Sequence, residues 1–185
     1  MNTPMKSASA FDDFVKRLQP TADDRTMPDW TRERDEWLDL LSALYGVIEE
    51  FLNPYIENGT IAISYEDIVL IEEDLGEYHA KEMVLQIGRQ KVIFKPVGTM
   101  LIGTKGRVDV EGTAGRARLL LTDRYATKPM LTVSKRKHLG NLQSRSQVQP
   151  PVEWTWKIAT MPPQVTYLDL TRDSLFEMVM EVANA

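Results

Sequence analysis

The sequence predicts an α+β fold: an antiparallel β-meander of about seven to nine strands, a sheet or half-barrel, covered by a long N-terminal helix and a C-terminal helix. Three observations carry this. Apolar residues recur at spacings of three and four between positions 37 and 55, alternate at a spacing of two from position 61, and return to three and four after Thr171. Glycine-containing turns interrupt the alternating stretch at short intervals, which favours hairpins over helical crossovers. The length of 185 residues and mass of 21.1 kDa suit one domain with a real core and are short for two.

The elements follow in order. Residues 1–25 read as a flexible tail with a short amphipathic helix at 11–18 (FDDFVKRL) ended by Pro20. The single domain then spans 26–185. Thr26, Pro28 and Asp29 mark the start of the long helix, as a cap, a first-turn proline and an acid at the positive end of the dipole. Trp37, Leu40, Leu41, Leu44, Val47, Ile48, Phe51 and Tyr55 form its apolar stripe. Pro54 is expected to end or kink it, and Asn58-Gly59 supplies a turn. Strands are predicted at 61–65, 83–87, 92–96, 107–111, 116–122, 154–158 and 165–168. Thr171 can cap the last helix, with Leu175, Phe176, Val179 and Val182 as its stripe. The order of elements, a meander closed by a C-terminal helix, resembles that of pleckstrin-homology-like barrels. That resemblance implies an anionic ligand such as a phosphoinositide.

Composition excludes several classes. The chain has no cysteine, which removes disulfides, thiol nucleophiles and thiolate metal sites together. No apolar run approaches the roughly 20 residues of a membrane-spanning helix, and the first residues carry no secretory pattern. A cytoplasmic location is expected. A net charge of −5 argues against indiscriminate binding to nucleic acid through whole-protein charge, while leaving room for a local basic patch.

The stretch from Lys95 to Gly112, KPVGTMLIGTKGRVDVEG, has the glycine spacing of a phosphate-binding loop. However, Thr104 and Lys105 stand in reversed order, and 107–111 alternates like a strand where the loop would have to open a helix. It reads as a hairpin turn at 103–106, followed by a second turn at 112–115. Nucleophilic catalysis has little to work with: His79 and His138 are the two histidines, and no G-x-S-x-G elbow is present. No catalytic residue and no cofactor is assigned.

Charge is segregated along the chain. Glu66, Asp67, Glu72, Glu73, Asp74, Glu77 and Glu82 form an acidic run with His79 and one lysine, Lys81. Its spacing matches no EF-hand and no H-E-x-x-H helix, so it reads as a solvated acidic edge and not as a metal site. The segment 116–145 is basic. Within it, 134–151 (SKRKHLGNLQSRSQVQPP) is predicted to be a long mobile loop, with Lys135, Arg136, Lys137 and Arg145 as candidate phosphate or partner contacts. Trp154 and Trp156 follow two residues apart on one face of a strand, where they would stack on bases if exposed or fill a core or interface if buried.

Two fields of opposite sign, sheet edges and no catalytic constellation point first to a non-catalytic protein-interaction or regulatory accessory module, acting on a protein partner or on another copy of itself. A nucleic-acid-binding protein using 134–145 is the second reading. An enzyme, or a binder of anionic ligands like the barrels above, is the third.

Overall fold

A computed structural model describes residues 29–99, 104–129, 152–160 and 162–183. The expected N-terminal tail with its short helix, and the expected basic loop at 134–151, lie outside these residues.

The first helix, α1, runs Trp30–Glu57. Its cap is Asp29, whose carboxylate accepts from the backbone N–H of Arg32 at 3.2 Å, and not Thr26. Aspartate caps at least as well as threonine, and here it stands directly before the first helical residue. Pro54 lies inside the helix, which continues to Glu57. So close to the end, the donor that proline lacks costs one backbone bond, and the last turn persists. The buried residues are Trp37, Leu41, Leu44, Tyr45, Ile48 and Leu52, whereas Val47 and Tyr55 are 37% and 38% exposed.

Seven strands follow in one open antiparallel sheet, each pairing with the next in sequence: β1 (Ile61–Glu72), β2 (Gly76–Ile87), β3 (Gln90–Gly98), β4 (Gly106–Glu111), β5 (Arg116–Asp123), β6 (Trp154–Ala159) and β7 (Tyr167–Asp169). The second helix, α2, runs Arg172–Ala183. Thr171 caps it, its hydroxyl accepting from the N–H of Ser174 at 3.2 Å. The chain is thus α+β, as its periodicities predict.

Sequence alternation underestimates the first two strands, which are 12 residues each. Only Met83–Ile87 of β2 pairs with β3, so the outer part of the β1–β2 hairpin leaves the sheet as a two-stranded ribbon. In the sheet-bound half the odd-numbered residues Ile61, Met83 and Leu85 join the core cluster, while Val84 is buried outside it, but further out it is the even-numbered Leu70, Tyr78 and Ala80 that join. Two-stranded ribbons twist more than wide sheets, and this twist turns the second face of the ribbon onto the core. A strict period of two therefore fails near Glu66 and Glu82.

Tyr45 of α1 fills the point of departure. Its hydroxyl faces the carbonyl oxygens of Lys81 and Phe94, at 2.7 and 3.3 Å, where β2 and β3 stop pairing. Buried carbonyls need such a donor.

Both helices cover one face of the sheet. Val92, Phe94, Val108, Val110, Leu119 and Ile158 are buried in one cluster with Trp37, Leu44, Leu175 and Val179. Each fully buried side chain of this size stabilises the fold by about 1.5–3 kcal/mol. Two glycines permit the close approach: a Cβ on Gly106 would stand 2.2 Å from the Trp37 ring, and one on Gly112 would stand 2.2 Å from the Val182 carbonyl oxygen of α2. The opposite face carries charge in cross-strand order, with Glu66 opposite Glu82, Lys95 opposite Asp109, and Asp109 opposite Arg118. Val84, Thr122 and Lys157 are buried on that face, and of these only Lys157 carries a charge. It is buried beneath the turn after β5, donating to the carbonyls of Arg124 and Ala126 at 2.7 and 3.0 Å and pairing with Asp169 at 3.1 Å.

Candidate functional site

The two sheet edges differ. β7 is three residues long and β1 is twelve. β1 pairs with β2 on one side, and on the other it has no strand partner among the described residues. Edge strands are commonly blunted with proline, charged side chains (lysine above all) or a bulge. β1 (IAISYEDIVLIE) has no proline and no lysine, its register with β2 runs without a shift, and its charged residues are Glu66, Asp67 and Glu72. Tyr65, Val69 and Ile71 are 41%, 48% and 78% exposed along it.

Beside this edge, α1 and the ribbon enclose a cleft of about 740 Å³. Leu38, Leu41, Tyr45 and Ala80 give it apolar walls, and Glu49, Asp67, His79 and Lys81 give it a polar rim. Tyr65 of β1 belongs to the lining; its ring lies 5.7 Å from that of Tyr45, and its hydroxyl donates to Glu49 at 2.5 Å. Burial first, then the Glu49 carboxylate, raises the Tyr65 hydroxyl well above its ordinary pKa. Asp67 is held below the ordinary carboxylate range by its hydrogen bond and charge pairing with Lys81, at 2.6 Å.

The ribbon tip is fastened elsewhere. The Glu72 carboxylate accepts from the Tyr78 hydroxyl, and from the N–H and hydroxyl of Thr99 at 2.8 and 3.0 Å. A Cβ on Gly98 would stand 2.6 Å from the Glu72 carboxyl carbon, and the φ of Gly98 is +136°. These contacts account for Gly98. It makes room for an acidic side chain, which repels phosphate, and Gly106 makes room for an indole. From Gly106 the chain enters the strand β4 and not a helix.

The acidic run does not converge. Among the described residues no three histidine, aspartate or glutamate side chains come together as a metal ion would need. Trp156 is half-buried, its ring 5.9 Å from that of Trp37 and its N–H donating to the Leu40 carbonyl at 3.2 Å. Trp154 is 40% exposed, with the Lys105 ammonium 5.7 Å from its ring. The pair shares the helix-bearing face, but only Trp154 has much free surface. Lys135, Arg136, Lys137 and Arg145 lie outside the described residues, as does His138. The cleft was not legible in the sequence, because its walls come from positions about 40 residues apart; the apolar length of β1 was the one signal of it.

No family model, no curated protein and no solved structure matches this chain. Among the described residues, no helix is long and apolar enough to cross a membrane.

Proposed function

We propose that the protein is a non-catalytic interaction module that takes up an extended segment of a partner protein along β1. One observation carries the reading: a twelve-residue edge strand without proline, lysine or bulge, which exposes Val69 and Ile71. Such an edge is a template for a further strand, whose backbone would satisfy the outward N–H and C=O groups and so provide affinity independent of sequence. The adjoining cleft and the charge around it supply the sequence-dependent part.

The test is partner capture from the native host by the wild-type chain and by Val69→Lys/Ile71→Lys. Lysine on an edge strand opposes strand addition while leaving the fold intact. The double variant is expected to keep its melting temperature and lose the partner. Undiminished capture by a folded double variant would refute edge docking.

A further inference from the structure

We infer that the cleft between α1 and the β1–β2 ribbon is the selective part of this docking surface, and that its occupant is a basic, extended segment of a partner protein that anchors a large apolar side chain between the helix and the ribbon. This rests on the edge-docking reading and deepens it. An added strand on β1 projects alternate side chains to the helix-bearing side, where the edge residues Tyr65 and Asp67 already belong to the cleft lining. The walls there are Leu38, Leu41, Tyr45 and Ala80, which suit a long aliphatic or aromatic side chain. At about 740 Å³ the cleft has more room than one such side chain fills.

The helix leaves this space open at one position. Gly46 lines the cleft, and a Cβ added to it meets no atom within 4 Å. Glycine inside a helix is destabilising relative to alanine, so a helix of 28 residues is weakened here where no close contact requires it.

Charge selects the occupant. Residues 61–87 carry seven carboxylates against Lys81, a net of −6 where the whole chain is −5. Asp67 and, from α1, Glu49 line the cleft itself, while Glu66 and Glu82 lie on the opposite face and Glu72 is engaged at the ribbon tip. Glu66, Glu73, Asp74 and Glu77 are exposed. A second copy docking on β1 would bring two such ribbons together, and like charges across a strand pair are destabilising. A segment bearing lysine or arginine meets the opposite field and is steered to it.

The experiment selects peptides from a displayed random 12-residue library on the full-length chain, then measures the enriched peptides against wild type, Gly46→Leu, Gly46→Ala and Val69→Lys/Ile71→Lys. Leucine at 46 projects into the cleft and takes up part of its room; alanine strengthens the helix and leaves most of the space, which separates blocking from any change in folding. The expected result is enrichment of sequences combining a large apolar residue with two or more Lys or Arg. Their affinity should fall at least tenfold with Gly46→Leu, hold within twofold with Gly46→Ala, and weaken as salt rises. Peptides that lose binding to the β1 double variant but bind Gly46→Leu as well as wild type would overturn the cleft and leave edge docking standing. Peptides indifferent to both variants would overturn both. Enrichment of acidic or wholly polar peptides, or a chain that dimerises unless position 46 is leucine, would overturn the basic occupant.

Discussion

Gly106 lies beneath Trp37 so closely that a Cβ on the glycine would stand 2.2 Å from ring carbon Cζ3. Trp37 is fully buried, and its ring also meets that of Trp156. The start of β4, the first half of α1 and the middle of β6 are therefore locked at one point. Gly106→Ala forces either the indole or the strand to move, with a cost of about 1–3 kcal/mol for overpacking. The expected readout is a fall in melting temperature of several degrees, with Gly46→Ala rising in the same assay.

Tyr45 makes a second lock, between α1 and the fork where the ribbon leaves the sheet. Tyr45→Phe keeps the ring and removes the donor facing the Lys81 and Phe94 carbonyls. Leaving a buried acceptor unsatisfied costs about 1–3 kcal/mol. Chemical denaturation should show that loss, and hydrogen exchange should show faster opening of the ribbon than of β4 and β5.

Lys157 is a polar core of its own. Its ammonium ties the turn after β5 to β6 and β7 through two carbonyls and Asp169. Lys157→Met fits the stem and abandons all three acceptors, for an expected loss of about 2–4 kcal/mol. Limited proteolysis should then cut near Arg124 first.

Glu82 gives a signed pH dependence. Burial, followed by the neighbouring carboxylates Glu66 and Glu111, raises its pKa above the ordinary 4.5, against the opposing pull of Lys95. The folded state thus binds this proton more tightly than the unfolded state, and stability falls as pH rises through the raised value. Glu82→Gln removes that penalty. The variant should melt higher than wild type near pH 7, and the gap should close as the pH drops below 4.5. A gap independent of pH would show that Glu82 contributes through something other than its charge.

The sequence shows the architecture well because its signals are local. The stripe through Trp37, Leu41, Leu44 and Ile48 and the alternation through Val108 and Val110 are each set by nearest neighbours along one element. It shows the site poorly because the site depends on where an element departs from its local rule. The ribbon twist reverses which face of β1 and β2 is buried, so Tyr78 and Ala80 follow a parity opposite to Met83 and Leu85. Lys157, the one charged residue of β6, gave no hint of the carbonyls waiting for it from positions about 30 residues earlier. The glycine spacing at 98–103 resembles a phosphate-binding loop, but the reversed Thr104-Lys105 and the alternation after them already read as a turn. What the sequence does not show is that Gly98 and Gly106 make room for Glu72 and Trp37.

The most direct measurement of edge docking places a photo-crosslinking residue at Ile71, 78% exposed on β1, and as a control at Met180, 60% exposed on α2. After irradiation in native-host extract, the covalent product is digested and the attached segment sequenced. Docking along β1 predicts one dominant protein joined at position 71 through a single extended, Lys- or Arg-bearing segment, and absent at position 180. Equal yields at both positions, or no discrete product at 71, would contradict it.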